Sequence, residues 1–301
     1  MKATLAICAV VGIALVGVAW QLDARRSEAA TAATEEYGRR LIAETSVLMG
    51  PDQPDPARRY TGSRLQCGSC HLNAGAETGT LSLLESDPRY PRPSGRDGVV
   101  GDMKLRLNGC MTRSMNGRAL PLDSAEMNGM VAYVRALNGR FTLMSKGRKV
   151  VRESKAFAAP DRAANPAAGR GVFDARCARC HGADGLGLRA ENDPRRGYVY
   201  PPLWGDDSFN DGAGMHRVLT AAKFIKAKMP LGQADLTDEE AFDVAAYINV
   251  QPRPAMANLD KDYPDRATKP VDTPYGPYAD PFPIAQHRLG PFKPIEAFYK
   301  K

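Results

Sequence analysis

The sequence predicts an all-α protein with two similar domains in tandem. A Cys-x-x-Cys-His motif occurs twice in the 301 residues, at positions 67–71 and 177–181. Around both motifs, apolar residues recur at the three- and four-residue intervals that are typical of amphipathic helices. The chain also exceeds the length at which one hydrophobic core usually keeps growing. The repeated motif and the length therefore both favour two small helical domains.

Each motif contains the groups that covalent attachment of a haem c requires. The thiols of Cys67 and Cys70 can add to the haem vinyl groups, and the adjacent His71 can become the proximal iron ligand. The second motif repeats this set as Cys177, Cys180 and His181. A single Cys-x-x-Cys could also be a redox pair or half of a zinc site. Two copies, each followed by His, instead predict two covalently bound haems c in two tandem cytochrome c-type domains.

The N-terminal segment has the composition of an export sequence. Residues 3–22 form an uncharged, largely apolar run between Lys2 and the pair Arg25 and Arg26. The run is long for a cleaved signal peptide and just long enough to span a bilayer as a helix. Residues 1–30 are therefore expected to be a signal peptide or an N-terminal membrane anchor, and the rest of the protein is expected to be periplasmic.

The charge balance bears on the class of partner. The chain has 41 Lys and Arg against 34 Asp and Glu, a net charge of +7. This balance favours anionic partners or substrates. No run of Lys and Arg is interleaved with aromatic residues, so nucleic acid is not an expected partner.

The first domain is expected over residues 31–158. A helix is predicted from Thr31 until Gly50 and Pro51 stop it, on the spacing of Tyr37, Leu41, Val47 and Leu48. A closing helix is predicted from Asp123 to Asn138. Its buried stripe is expected to be Met127, Met130, Val131, Val134 and Leu137. The two methionines of this stripe are expected to be core residues rather than iron ligands.

The second domain, residues 159–251, is expected to repeat this plan. A basic, Ala-rich connector from Phe141 to about Pro166 is expected to link the two domains. Helices are predicted over residues 169–176 and 214–228. A third is predicted from the capping sequence at 237–240 to about Val250.

The segment 252–301 has a different composition. Ten of the 23 prolines lie between Pro252 and Pro294, which excludes a long helix or a central strand there. The segment also has more aromatic residues than a solvated linker would have. It is therefore expected to be an extended tail that wraps over the domains.

Each haem iron needs a sixth ligand if it only transfers electrons. Met229 lies 48 residues after His181 and just before the last helix, the usual place for a Met ligand in a small cytochrome c. Its neighbour Lys228 could bind the iron instead if it lost its proton. The other two histidines, His216 and His287, are expected to be surface or structural residues.

Two residues compete for the corresponding position in the first domain. Met115 precedes Tyr133 by 18 residues, just as Met229 precedes Tyr247. This equal spacing predicts Met115 as the distal ligand of the first haem. Cys110 is the alternative, because the other five cysteines belong to the export segment and the haem motifs, which leaves this thiol without a disulfide partner. A thiolate ligand would lower the haem potential and place a nucleophilic sulfur at the iron.

Five segments together are similar to a known family: NGCMTRSMNG (108–117), PPLWG (201–205), KMP (228–230), PYGPY (274–278) and QH (286–287). From about Tyr37 to the C-terminus the chain resembles the dihaem thiosulfate dehydrogenases. The resemblance implies that two thiosulfate ions are joined into tetrathionate, reversibly in some members, at a first haem with His and Cys ligands. It implies a second haem that passes electrons onward, with Met or Lys as its distal ligand.

Carried onto this sequence, the resemblance implies specific site residues. It implies His71 and Cys110, rather than Met115, at the catalytic haem. At the exit haem it implies His181 with Met229 or, alternatively, Lys228. The anion-binding residues that it implies are Arg96, Arg106 and Ser114.

The charge pattern agrees with an anion site in this region. Residues 86–118 contain seven Lys or Arg against three Asp. If the segment is helical, Arg106, Cys110 and Ser114 share one face at four-residue spacing. The neighbouring Arg89, Arg92 and Arg118 are expected to be solvated surface residues.

The expected function is therefore oxidation of thiosulfate, with electrons leaving through the second haem to a periplasmic acceptor such as another cytochrome or a high-potential redox protein. The main alternative is a non-enzymatic dihaem electron carrier, which would leave Cys110 without a role. Another is a different sulfur-oxidising cytochrome, whose Cys-ligated haem acts on a carrier-bound thiol. A haem peroxidase would need an open iron beside a distal base, for which the sequence has no clear candidate.

Overall fold

The structure is a computed structural model that describes residues 27, 30–145 and 156–300. The predicted export segment lies almost entirely outside these residues, as does the centre of the predicted linker. Within the described ranges, no helix is both long enough and apolar enough to cross a membrane. We refer to residues 30–145 as the N-terminal unit, to 156–250 as the C-terminal unit and to 251–300 as the tail.

The regular structure of the N-terminal unit is helical apart from one short hairpin, and residues 50–102 are mostly turns and loops. Its helices are α1 (residues 30–43), α2 (Thr45–Met49), α3 (Met103–Gly109) and α4 (Ala125–Ser145), and a π-helical turn, Cys110–Ser114, continues α3 directly. Strands β1 (Arg92–Ser94) and β2 (Val99–Gly101) pair antiparallel. The predicted first helix is interrupted at Glu44 and ends before Gly50 as expected. The stripe predicted on the closing helix is buried, with every member 8% exposed or less.

The C-terminal unit repeats the helical plan with its own core. Its helices are α5 (Pro166–Arg176), α6 (Ala178–His181), α7 (Val218–Lys228) and α8 (Asp238–Asn249), and β3 (Leu188–Arg189) pairs antiparallel with β4 (Tyr198–Tyr200). Helix α8 starts at the predicted capping box, where the Thr237 hydroxyl accepts from the Glu240 amide at 3.1 Å and the Glu240 carboxylate accepts from the Thr237 amide at 2.8 Å. Helix α7 starts four residues later than predicted, after a short 3₁₀ turn. Both units are thus predominantly helical, as the fold-class prediction requires.

The tail consists of turns and loops with two short 3₁₀ helices (Leu259–Lys261 and Arg266–Thr268), and it ends in two short α-helices, α9 (Ile284–Leu289) and α10 (Lys293–Tyr299). Ile295 of α10 is fully buried in the C-terminal core. His287 of α9 is 1% exposed, with Nδ1 2.7 Å from the carbonyl oxygen of Val271 and Nε2 3.0 Å from the Asp280 carboxylate. It is therefore a structural residue, as expected.

In each unit the first and last long helices cross in direct backbone contact at a glycine. A Cβ atom placed on Gly38 of α1 would lie 1.9 Å from the carbonyl oxygen of Gly129 in α4. A Cβ on Gly169 of α5 would lie 2.0 Å from the carbonyl oxygen of Asp243 in α8. No side chain fits at these separations, so both crossings require glycine. This shared contact is a structural sign that the two units have the same architecture.

We predict that Gly169→Ala lowers the stability of the protein by about 1–3 kcal/mol, because α5 and α8 must separate to admit the methyl group. Gly171→Ala is the matched control in the same helix, since nothing lies within 4 Å of its added Cβ. That substitution should be neutral or should stabilise by about 0.4–1 kcal/mol. Melting temperatures from circular dichroism compare the two variants. Equal melting temperatures would contradict the close crossing.

Candidate active site

The first Cys-x-x-Cys-His motif lines a large cavity in the N-terminal unit. The cavity has two adjoining parts, of about 450 and 650 Å³. Four residues line both parts and are central to the predicted site: Cys67, His71, Arg106 and Cys110. The cavity therefore brings together the motif and the extra cysteine, which are 40 residues apart in the sequence.

His71 is held in the orientation that an iron ligand needs. Its Nδ1 lies 2.6 Å from the carbonyl oxygen of Leu81 and must donate to it, which leaves Nε2 as the nitrogen that can bind iron. Burial lowers the pKa of His71, which keeps the imidazole in its neutral, metal-binding form. Burial also raises the pKa of the Cys67 thiol to about 11 and that of Cys70 to about 12. Two thiols that can add to the haem vinyl groups and an imidazole nitrogen that can bind iron are the groups that a haem c requires.

Cys110 is presented to the cavity by α3 and the turn that follows. The helix begins at Asp102, whose side chain accepts from the Leu105 amide at 2.8 Å. One turn later, Arg106 Nη1 donates to the Sγ atom of Cys110 at 3.2 Å. This contact shows that Arg106 and Cys110 lie on the same face of the helix, as their four-residue spacing predicts, and the nearby sulfur raises the pKa of Arg106. The guanidinium thus stays charged beside the sulfur.

Ser114 and Met115 also line this cavity. Ser114 comes at the end of the π-helical turn, which is wider than the α-helix on which its position was predicted. Met115 is only 3% exposed and packs in the N-terminal core. Both candidates for the distal position, Met115 and Cys110, are therefore near the first motif, but only the cysteine is hydrogen-bonded to a cation.

Arg96 extends into the cavity from the turn between β1 and β2. Its Nε and Nη2 atoms both lie 3.3 Å from the hydroxyl of Tyr263, a residue of the tail. Asp262 is 4.0 Å from Arg96 and forms a 2.7 Å ion pair with Arg113, which also lines the cavity. Sequence reasoning missed Arg113, Asp262 and Tyr263 as site residues, because nothing in the sequence places the tail beside this hairpin.

The other arginines of the basic segment differ in their surroundings. Arg92 is exposed, as expected, but it also lines both parts of the cavity, and its guanidinium lies over the ring of Tyr90 at 5.3 Å. Arg118 is exposed, as expected, and it stacks over Tyr60 at 4.0 Å. The cavity is therefore lined by more cationic side chains than the two arginines predicted to bind anions, Arg96 and Arg106.

The second motif has the same local arrangement. His181 Nδ1 lies 2.7 Å from the carbonyl oxygen of Pro201, which again leaves Nε2 for iron. Burial lowers the pKa of His181 and raises that of Cys177 to about 11. Met229 directly follows α7 and packs, like Cys177, against the C-terminal core. The residues of this unit therefore also fit a haem c.

Lys228, the alternative to Met229, extends towards the other unit. Its Nζ donates to Glu77 Oε1 and to the carbonyl oxygen of Thr78, both at 2.8 Å. In this arrangement the lysine amine binds the N-terminal unit, while the adjacent methionine stays with the core of its own unit. The two ring nitrogens of His216 lie 2.8 and 3.2 Å from backbone carbonyl oxygens, so this histidine is a structural residue, as expected.

The C-terminal unit forms one wall of the first cavity. Phe209, Met215, Arg217 and Thr220 all line it. Met215 also packs against the core of its own unit. A single layer of side chains therefore separates the first cavity from the C-terminal core.

Two family models match the chain, one in each unit. Residues 59–140 match the model described as the SoxA/TsdA cytochrome c domain. Residues 164–248 match the cytochrome c domain model described as cytochrome C oxidase, cbb3-type, subunit III. These matches confirm the predicted fold of two tandem cytochrome c domains, and they imply that the protein binds haem c.

Whole-chain comparison identifies the family. The chain is 39% identical over 222 residues to the thiosulfate dehydrogenase of Allochromatium vinosum, a match that covers 72% of this chain and 77% of that protein. The chain belongs to the thiosulfate dehydrogenase family. It is also 42% identical over 207 residues to the thiosulfate dehydrogenase of Psychrobacter arcticus, which covers 68% of this chain. Family membership confirms the resemblance inferred from the sequence motifs.

A solved thiosulfate dehydrogenase has a similar structure. TsdBA from Marichromatium purpuratum, in its "as isolated" form, superposes with a TM-score of 0.66 at 31% identity over 76% of this chain. The match covers only 48% of that protein, and the match to the Psychrobacter enzyme covers 61% of its length. The chain described here therefore spans about half to three fifths of the length of these two proteins.

Proposed function

We propose that this protein oxidises two thiosulfate ions to tetrathionate at a haem c bound between His71 and Cys110. The observation that carries the proposal is a cavity lined both by Cys110, whose sulfur is hydrogen-bonded to Arg106, and by His71, whose Nδ1 bond to Leu81 leaves Nε2 for iron. The thiosulfate dehydrogenases among its relatives support the substrate. Two covalent haems are proposed, one attached to Cys67 and Cys70 and the other to Cys177 and Cys180.

The cations of the cavity would allow two like-charged substrates to meet. Each thiosulfate is a dianion, so the approach of two sulfane sulfurs is opposed by Coulomb repulsion. Forked guanidinium donors from Arg96 and Arg106 offset this repulsion and orient the sulfonate oxygens, and the Ser114 hydroxyl can add a further donor. The sulfane sulfurs then lie near the Cys110 sulfur.

The proposed reaction joins the two sulfane sulfurs by one S–S bond and releases two electrons, with no net transfer of protons. A haem c bound there would supply a one-electron acceptor. Because the same groups bind both sides of the couple, the reaction can run in either direction. The protein residues therefore act by binding and orienting anions rather than by acid–base chemistry.

The second haem is the proposed exit for electrons. Its iron would have His181 and Met229 as axial ligands, with Lys228 as the alternative to Met229. The wall formed by Met215 and its neighbours places the C-terminal unit directly against the first cavity. From there a periplasmic acceptor, such as another cytochrome or a high-potential redox protein, would take the electrons.

The proposal includes the location and organisation of the chain. Residues 1–30 would direct export to the periplasm, as a cleaved signal or as an anchor in the inner membrane. The two cytochrome c domains would extend over residues 31–158 and 159–251, followed by the tail from residue 252. Disulfides form in that oxidising compartment, so an unpaired thiol such as that of Cys110 needs a role there.

Two alternative functions differ in what they require of Cys110. A non-enzymatic electron carrier has no use for a sulfur held beside a cation in an open cavity, which disfavours that function. Another sulfur-oxidising cytochrome with a Cys-ligated haem remains the second candidate, because the matching domain model covers SoxA as well as TsdA. Identities of 39% and 42% to thiosulfate dehydrogenases favour the first candidate.

We predict that Cys110→Met abolishes tetrathionate formation, because it removes the proposed sulfur ligand and the hydrogen bond from Arg106. The low-spin signal of a His/thiolate haem should disappear from the electron paramagnetic resonance spectrum of the oxidised protein. Met115→Leu is the control, since it conserves volume in the core and should keep both properties. Full activity in Cys110→Met would refute catalysis at a Cys-ligated haem.

We predict that Arg96→Ala or Arg106→Ala raises KM for thiosulfate by roughly ten- to a hundredfold, the effect of losing a charge-assisted hydrogen bond. Arg170→Ala is the control, because this arginine is 71% exposed on α5 and pairs with Asp174. Steady-state kinetics at two ionic strengths make the comparison. Equal effects from all three substitutions would indicate only long-range steering, which added salt weakens.

We predict that Met229→Gly changes the absorption spectrum and reduction potential of the second haem and leaves the first haem nearly unchanged. Lys228→Gln should keep the second spectrum, because its side chain binds Glu77 rather than the core of its own unit. Spectroelectrochemical titration measures both haems in each variant. An unaltered second haem in Met229→Gly, with a change in Lys228→Gln, would assign the ligand to the lysine.

A further inference from the structure

Tyr263 brings a hydroxyl group from the tail into the first cavity. The residue is 6% exposed and lines the cavity beside Arg96. Its hydroxyl oxygen accepts from both Nε and Nη2 of Arg96, each at 3.3 Å. Its own amide donates to the carbonyl oxygen of Arg96 at 2.8 Å. Side chain and backbone together therefore attach this tyrosine to the hairpin that carries Arg96.

The bonding pattern leaves one group of Tyr263 unused. A phenol has one donor and can accept through its oxygen lone pairs. Arg96 supplies donors to the oxygen, so the O–H hydrogen must point elsewhere. Among the described residues, the hydrogen bonds of this hydroxyl are the two that it accepts from Arg96. The cavity is the space next to it, and the guanidinium polarises the O–H group into a stronger donor.

The backbone of Tyr263 is held in an unfavourable conformation. Its φ angle is +57°, in the left-handed region that a bulky side chain rarely adopts. The neighbouring residue, Asp262, fixes this position through its ion pair with Arg113 and through the hydroxyl of Tyr275, which donates to it at 2.7 Å. The Lys269 Nζ lies 5.9 Å from the centroid of the Tyr263 ring. Several independent contacts therefore hold the hydroxyl at the cavity wall.

We propose that Tyr263 is a further substrate-binding residue, whose hydroxyl donates a hydrogen bond to a sulfonate oxygen of thiosulfate while it accepts from Arg96. The inference rests on the proposed function and names a ligand group of that site. A neutral donor next to Arg96 adds a directed contact for the anion without adding charge to an already cationic wall. The tail is then part of the active site and not only a cover for the domains.

The test is Tyr263→Phe, which removes the hydroxyl and keeps the ring and the net charge. KM for thiosulfate should rise roughly tenfold, the low end of the effect of losing a hydrogen bond to a charged group. The absorption spectra of both haems should stay unchanged. Tyr278→Phe is the matched control, because this tyrosine lies in the same tail and also faces Lys269, while its hydroxyl bonds only the carbonyl oxygen of Thr273. It should leave KM unaltered.

A double variant separates direct binding from the positioning of Arg96. If Tyr263 donates to the substrate itself, adding Tyr263→Phe to Arg96→Ala should weaken thiosulfate binding several-fold further. No additional loss, or an unchanged KM in the single variant, would overturn the proposal. Equilibrium titration of the oxidised protein with thiosulfate, followed by the haem spectrum, measures binding without turnover. A protein that binds thiosulfate through Tyr263 but forms no tetrathionate would refute the proposed reaction and leave this inference standing.

Discussion

The hydrogen bond from Arg106 to the sulfur of Cys110, at 3.2 Å, is the interaction on which the proposed chemistry depends. It requires two residues one helical turn apart, so it depends in turn on α3 and on the Asp102 cap that starts this helix. The same cavity contains His71, whose free nitrogen is set by its bond to Leu81. A cation, a sulfur and an imidazole are thereby held in one cavity before any substrate arrives, which is the preorganisation that binding sites for anions need.

The rest of the site is assembled from distant parts of the chain. Arg96 comes from the turn of a two-stranded hairpin, and its partners Asp262 and Tyr263 come from the tail, more than 160 residues later. The C-terminal unit adds a wall that includes Phe209 and Met215. Closing such long loops costs conformational entropy. The buried ion pair between Arg113 and Asp262, with both side chains about 10% exposed, is one of the contacts that link the tail to the N-terminal unit.

Much of the fold could be predicted because its signals are local. The haem motifs, the apolar stripe of α4 and the capping box of α8 each depend on residues a few positions apart. The hairpin of β1 and β2 escaped prediction because strands of three residues are too short to show alternation. The π-helical turn also escaped, and it shifts Ser114 from its expected helical position. In the site, Arg106 and Cys110 could be paired from their spacing, whereas Tyr263 could not, since no local pattern connects the tail to Arg96.

The bond between Lys228 and Glu77 has a consequence for how the two domains can be treated. Lys228 precedes Met229, and its amine is anchored on the N-terminal unit at Glu77 and Thr78. Met229, the proposed ligand of the second haem, thus packs against the C-terminal core, while the adjacent Lys228 binds the N-terminal unit. The domains are not interchangeable modules in this respect. If the C-terminal unit were expressed alone, or fused to a different domain, Lys228 would lose its contacts with Glu77 and Thr78. Either the sulfur of Met229 or the amine of Lys228 could then reach the iron of the proposed second haem.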